Sequence, residues 1–182
     1  MGPPSTPRRR PRAAAPTRLT LLTAREVDPA GGDTEFAHTF LAYEQLPEKE
    51  KAELRGLRVA HSFATAQLRA HPDASEQERA VWQRVAARTH PLVWTRSNGR
   101  TSLLVGATAG EVAGLEEEEG HALLERLTRW ATQPRFVLRH RWRRGDLVIW
   151  DNTGMLHRAL PFEPTSRRLM HRTTLVGEET VA

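Results

Sequence analysis

The chain has 182 residues, 38% of them hydrophobic and 27% charged, which allows one domain with a sizeable core and argues against two full domains. Six of the 27 basic residues and none of the 22 acidic residues lie in the first 25 positions, so a nearly neutral body follows a basic amino-terminal segment. Cysteine is absent, which excludes disulfides, thiolate metal sites, iron–sulfur clusters and a cysteine nucleophile.

The amino-terminal segment differs in composition from the rest of the chain. Residues 1–18 are rich in proline, arginine and alanine and cannot bury an apolar face. We therefore predict a disordered tail over 1–18 and one globular domain over 19–182. Neither an apolar run of the roughly 18 residues that a membrane span requires nor the apolar core of a secretory signal is present, which favours a cytoplasmic protein.

The first third of the domain alternates between strand and helix patterns. Residues 19–27 mix apolar residues with threonine, as in a strand, and a Pro-Ala-Gly-Gly-Asp turn follows at 29–33. A short strand is predicted over 34–37. Helical spacing of apolar residues then runs from Phe40 to Leu46 and resumes after the break at Pro47.

The middle of the chain carries two clear local signals. Ser75 and Glu78 have the spacing of a capping box, which predicts a helix over 76–88. Asn98-Gly99 lies between two apolar runs, as in a β-hairpin. The strand-like runs in this region are 57–61, 90–95 and 101–105.

The last third is rich in predicted strands. Four glutamates open a segment with helical apolar spacing, so we predict an amphipathic helix over 116–131. The predicted strands that follow are 136–142, 146–150 and 169–176. Many short strands interrupted by helices, without a βαβ rhythm, indicate a mainly β fold: an antiparallel sandwich or barrel with helices packed outside.

Two arginines of the last strand are candidates for anion binding. Arg168 and Arg172 share one strand face with Met170 and Thr174, because side chains alternate between faces. If that face points inward, the guanidinium groups require an anion such as a carboxylate, phosphate or sulfonate. His157 ends the strand that we expect to neighbour this one, so it could add a metal ligand. The alternative is an edge strand whose arginines face solvent.

The sequence WDNTGMLHRA, followed by SRRLMHRTTLVG, closely resembles the carboxy-terminal signature of the taurine dioxygenase/TfdA family of non-haem Fe(II), 2-oxoglutarate-dependent dioxygenases. Segments upstream of this signature also resemble the family and occur in the family's order, among them GGDT, GLRVAHS and NGRTSLLVG. The resemblance covers roughly residues 19–180. It implies a double-stranded β-helix (jelly roll) with flanking helices, here incomplete at the amino terminus.

The resemblance also implies roles for four residues. His157 matches the distal iron-ligating histidine, and Arg168 matches the arginine that pairs with the far carboxylate of 2-oxoglutarate. Thr34 matches the threonine that hydrogen-bonds the same carboxylate, and Arg172 matches an arginine near the anionic group of the substrate. The implied cofactors are Fe(II) and the cosubstrate 2-oxoglutarate, and the implied partners are O2 and a small sulfonate, sulfate ester or carboxylate.

The other two iron ligands of the family form a His-x-Asp motif ahead of the Gly-Gly-Asp-Thr segment, and residues 1–25 contain no histidine or acid. His71-Pro72-Asp73 matches the motif as text but follows that segment, and we interpret Asp151 as a scaffold residue. Because arginine far outnumbers lysine, GC-rich coding DNA is indicated. We therefore hypothesise that residues 1–18 are an out-of-frame or mis-started replacement, which the nucleotide sequence upstream of the start would test.

Three functions remain open at this point. The first is a dioxygenase of taurine dioxygenase type acting on a small anion. The second is a catalytically incompetent member of the family that keeps an anion pocket and self-associates through an exposed sheet edge. The third is nucleic-acid or membrane-surface binding through the arginines at 8–12, which the absence of aromatic residues there disfavours.

Overall fold

The computed structural model describes residues 17–28, 30–179 and 181. The predicted tail, apart from its last two residues, lies outside the described residues, and so do the arginines at 8–12. The strands are β1 (Thr17–Glu26), β2 (Thr34–His38), β3 (Arg58–His61), β4 (Arg88–Pro91), β5 (Val93–Thr95), β6 (Thr101–Leu103), β7 (Ala109–Val112), β8 (Val137–His140), β9 (Leu147–Asp151), β10 (Met155–Ala159) and β11 (Leu169–Val176). The helices are α1 (Thr39–Glu44), α2 (Glu48–Leu54), α3 (Phe63–Ala70), α4 (Glu76–Gln83) and α5 (Glu117–Ala131).

Two antiparallel sheets pack face to face. The first sheet has the strand order β11–β1–β9, and the second has the order β10–β2–β8. Their inner faces meet where the ring of Trp150 on β9 lies 5.2 Å from the ring of Phe36 on β2. Alternation along each strand fixes which side chains enter this interface, because a one-residue slip would turn every side chain to the other face.

The main apolar core lies beside this sandwich. A third sheet, β4–β3–β7, and the β5–β6 hairpin pack with the helices around fully buried side chains such as Leu54, Leu92 and Leu127. The amphipathic helix α5 buries Leu124 and Leu127 and packs on β7, with three glutamates in its first turn at the positive end of the helix dipole. Apolar burial on one face therefore orders this half of the molecule.

The mainly β class with outer helices is confirmed, and several local predictions match closely. The strand over 169–176 and the helix over 116–131 agree with β11 and α5 to within a residue. Ser75 and Glu78 form the predicted capping box at α4. The predicted hairpin turns at Gly99, which has a φ of +81°.

Other boundaries were wrong. The helix predicted over 76–88 ends at Gln83, and β4 begins at Arg88. The strand predicted over 90–95 is two strands, because Leu92 is fully buried and its amide bonds the carbonyl of Leu57. The first strand was predicted over 19–27, and β1 begins two residues earlier, at Thr17, and ends one residue earlier, at Glu26.

The sequence pattern gave no indication of helix α3 or strand β7. Helix α3 has no fully buried residue, and β7 has only four residues. Within the described part of the chain, no helix has the length and apolar character needed to cross a bilayer.

Candidate functional site

Thr34 and His157 lie on the inner face of the second sheet. In the register of β2 and β10, His157 is opposite Phe36 and Thr34 is opposite Ala159, so the two functional candidates are diagonal neighbours on one face. Thr34 is 3% exposed, and its hydroxyl accepts a hydrogen bond of 2.9 Å from the indole Nε1 of Trp142.

His157 packs against the aromatic interface between the sheets. Its ring lies 4.8 Å from the ring of Trp150 and 6.5 Å from that of Phe36, measured between centroids. Partial burial, followed by the positive charge of Arg172, lowers the pKa of His157. Both effects favour the neutral imidazole, which is the form that binds metals.

Arg172 approaches His157 from the first sheet. It is paired with Leu22 on β1, and Leu22 is paired with Val148 on β9, two residues from Trp150. Arg172 therefore shares the inner face with Trp150. The alternative of an edge strand whose arginines face solvent is partly correct. Among the described strands β11 pairs only with β1, and Arg172 is exposed.

Arg168 lies just before β11, beside the loop that leads into β2. Its guanidinium donates a hydrogen bond of 3.3 Å to the carbonyl of Gly32 and lies 5.1 Å from the ring centroid of Phe162. Gly32 has a φ of +68°, and a Cβ there would be 3.1 Å from the Nε of Arg168. A glycine is needed to bring this loop against the arginine.

The expectation that the strand of His157 neighbours the last strand was wrong. Strand β10 pairs with β2, and β11 pairs with β1. The segment between β10 and β11 crosses from one sheet to the other, so Arg172 acts on His157 from the facing sheet rather than from a neighbouring strand. His157 also lies in the middle of β10 and not at its end.

We call the five residues Thr34, Phe36, Trp150, His157 and Arg172, which lie on the facing inner faces of the two sheets, the inter-sheet site. It combines an imidazole that packs on the ring of Trp150, a buried hydroxyl and the exposed guanidinium of Arg172 on the facing sheet, with Arg168 at the adjoining loop. This arrangement is suited to an anionic organic molecule, because a guanidinium supplies charge-assisted hydrogen bonds and the neighbouring rings offer an apolar surface.

Residues 11–174 match the model of the family described as "Taurine catabolism dioxygenase TauD, TfdA family". The chain belongs to this family. An alpha-ketoglutarate-dependent 2,4-dichlorophenoxyacetate dioxygenase of Burkholderia sp. (strain RASC) is 41% identical over 162 residues, which are 88% of this chain and 54% of that protein. An alpha-ketoglutarate-dependent sulfate ester dioxygenase of Pseudomonas putida is 29% identical over 90% of this chain and 56% of its own length.

Solved structures give the same assignment. AAD-2 in complex with Mn(II) and N-oxalylglycine has a TM-score of 0.85 and 35% identity, over 93% of this chain and 67% of that one. A taurine dioxygenase from Burkholderia xenovorans has a TM-score of 0.76 and 32% identity, over 91% of this chain and 54% of that one. The predicted jelly-roll fold is confirmed, in part of its extent, since the chain spans about half the length of the curated relatives it matches.

The described part of this TauD/TfdA chain does not by itself supply an iron site. No group of three or more His, Asp or Glu side chains that could hold a metal ion occurs among the described residues. His157 is one imidazole, whereas the facial triad of such oxygenases uses two histidines and a carboxylate. The residues described therefore do not fit a bound iron on their own.

The two alternative ligand sources are placed elsewhere. His71 and Asp73 lie in the exposed connection between α3 and α4, where the ring of His71 is 6.2 Å from that of Trp82. The carboxylate of Asp151 accepts a hydrogen bond of 2.6 Å from Arg96 and another of 2.7 Å from the Thr153 hydroxyl. These bonds agree with the scaffold role inferred for Asp151.

Sequence reasoning missed the aromatic lining and its hydrogen bonds. Trp142 and Trp150 were treated only as strand residues, although each contacts a predicted site residue. Arg96 was not singled out either, although it is 7% exposed and bonded to the turn before β10. A tryptophan next to a motif residue was a usable signal, whereas nothing near Arg96 in the sequence reveals its partner.

Proposed function

We propose that this chain supplies the anion-binding side of an Fe(II)/2-oxoglutarate-dependent dioxygenase site whose substrate is a small organic anion. The single observation that supports the proposal is that Thr34 and His157 share one face of their sheet, while the charge of Arg172, on the opposite sheet, acts on His157. The relatives whose names include alpha-ketoglutarate dependence support the cosubstrate.

In this proposal each residue has one role. Arg168 and Thr34 bind the far carboxylate of 2-oxoglutarate, and Arg172 binds the anionic group of the substrate. His157 is the one iron ligand contributed by the described residues, so iron requires further ligands from outside them. The donor set of the described residues is incomplete for iron.

A second candidate is a family member that binds the dianion without turnover. The incomplete donor set favours it. The two candidates share the anion pocket and differ in whether iron-dependent chemistry follows. Cytoplasmic location and reaction with O2 stay predictions under either candidate.

The pocket is tested first, without metal, by calorimetric titration of the full chain with 2-oxoglutarate. Arg168→Met should weaken binding about tenfold or more, since a hydrogen bond to a charged group contributes about 1.5–3 kcal/mol. Arg167→Met is the matched control, because Arg167 is exposed and its recorded ion pair is with Glu26, at 3.9 Å. Equal binding by all three proteins would overturn the pocket assignment.

Turnover is tested separately by measuring succinate formation with Fe(II), O2 and candidate sulfonates, sulfate esters and carboxylates. Succinate formation that disappears in His157→Ala supports the dioxygenase. Binding of 2-oxoglutarate without succinate formation supports the second candidate. Succinate formation that persists in His157→Ala would refute the role given to His157.

A further inference from the structure

A buried arginine lies behind the inter-sheet site. Arg96 follows β5 and is 7% exposed, with its guanidinium 4.8 Å from the ring centroid of Phe40 and 5.3 Å from that of Trp94. Removing a guanidinium from water is costly unless it is paired. Its partners therefore show what the burial achieves.

The partners of Arg96 belong to the turn between β9 and β10. The guanidinium donates to the carboxylate of Asp151, at 2.6 Å, and to the hydroxyl of Thr153. Asp151 in turn accepts from the amide of Thr153 at 2.9 Å. Burial acts to raise the pKa of Asp151, but the hydrogen bonds from Arg96 and Thr153 outweigh it, so the pKa is lowered and the carboxylate is ionised.

The same turn is fixed from a second side. Ser102 on β6 donates a hydrogen bond of 2.8 Å to the carbonyl of Thr153. The carbonyl of Gly154 accepts from the amide of Thr39 at 3.0 Å. The β5–β6 hairpin, more than fifty residues away in the chain, thus holds this turn through one ion pair and one hydroxyl.

Two residues of the inter-sheet site flank this turn. Trp150 precedes Asp151 on β9, and His157 follows on β10, and their rings contact each other at 4.8 Å. A change in the conformation of the turn would change the angle between β9, which leads into it, and β10, which follows it. The two rings would then be placed differently relative to each other. Arg96 itself is bonded to the turn rather than to either ring.

We infer that Arg96 is a positioning residue, which sets the placement of the His157 imidazole against Trp150 by holding the 151–154 turn through Asp151. This inference deepens the proposed function, because His157 is the proposed ligand. It predicts a change at His157 that can be measured without iron, cosubstrate or turnover.

The experiment is histidine-selective NMR of the full chain, with the His157 signals assigned by their loss in His157→Gln. In Arg96→Met, we expect the His157 ring protons to lose part of the ring-current shift from Trp150. Arg96→Lys keeps the charge and should restore part of the shift. Arg100→Met, on the same hairpin and also over the Phe40 ring, should leave His157 unchanged.

Unchanged His157 signals in a folded Arg96→Met protein would overturn the inference. If Arg96→Met does not fold, Asp151→Asn weakens the same ion pair while keeping a similar side chain, and the same two outcomes apply to it. Failure of the proposed function would appear instead as absent 2-oxoglutarate binding in a protein whose His157 still responds to Arg96. The two failures are therefore distinguishable.

Discussion

Among single residues, Arg172 has a direct electrostatic effect on His157. After burial, its charge is the second cause that lowers the pKa of His157. Arg172→Gln removes a positive charge that opposes protonation, so the pKa of His157 should rise. Arg158→Gln is the control, because Arg158 is the next residue along β10, points to the other face and pairs with Glu35 at 2.7 Å. NMR titration measures both, and an equal rise in the two variants would contradict the placement of Arg172.

A second residue-level prediction concerns His61, whose pKa is lowered to about 4 by burial and then by His90, against the opposing effect of the Leu104 carbonyl. In the unfolded chain His61 becomes protonated as the pH falls below 6.5, whereas in the folded chain it becomes protonated only near pH 4. The stability contributed by neutral His61 is therefore present above pH 6.5 and lost as the pH falls toward 4, by at most about 1.4 kcal/mol per pH unit.

Urea unfolding at several pH values between 7.5 and 4.5 measures this loss. The free energy of unfolding of His61→Gln should fall less steeply with pH than that of the unmodified protein. His121→Gln, at an exposed position of α5, should keep the original slope. A steep slope retained in His61→Gln would place the acid sensitivity at other groups.

Among the elements, the turn between β9 and β10 is limited by a close approach. A Cβ at Gly154 would lie 1.9 Å from Cε2 of Phe40. Gly154→Ala should lower the free energy of unfolding by about 1–3 kcal/mol, as overpacking typically does. Gly120 lies inside α5, and a Cβ there would make only ordinary contacts with Val112 of β7. Gly120→Ala should therefore leave the free energy of unfolding unchanged or raise it. Denaturant unfolding compares them.

The cause is checked by a compensating change. Phe40→Leu removes the ring edge, so Gly154→Ala should cost less in that background than in the unmodified protein. Equal costs in the two backgrounds would mean that the backbone, and not the Phe40 ring, limits residue 154. The comparison is a double-mutant cycle, which isolates the pairwise contribution.

Elements with strong local signals were predictable from the sequence. The capping box of α4, the Asn98-Gly99 turn and the amphipathic face of α5 all encode structure within a few residues. Strand β7 has no such signal, because its identity depends on pairing with β3 and on packing against α5. Likewise, the motif singled out His157 and Arg172 as candidate site residues. Their placement on facing sheets depends on strand pairing that spans most of the chain.

At the scale of the whole molecule, the outer face of the first sheet has exposed apolar side chains. Ile149 and Leu147 on β9 are 55% and 56% exposed, and Leu175 on β11 is 48% exposed. The register places Ile149 and Leu147 on the face opposite Trp150. Among the described strands, β9 and β11 form the two edges of this sheet, and a sheet with an apolar outer face and such edges is prone to pair with another copy.

We therefore expect this chain to self-associate with increasing concentration, and Ile149→Lys to shift the equilibrium toward monomer by placing a charge on that face. Val81→Lys is the control, because Val81 is 50% exposed but lies on α4, away from both sheets. Sedimentation velocity across a concentration series distinguishes the variants. Association that is weakened equally by both lysines would indicate a general effect of charge, and association unaffected by Ile149→Lys would place the contact on another surface. The sheet-face contact predicts that only the β9 substitution weakens association, because only that lysine would have to lose its water inside the interface.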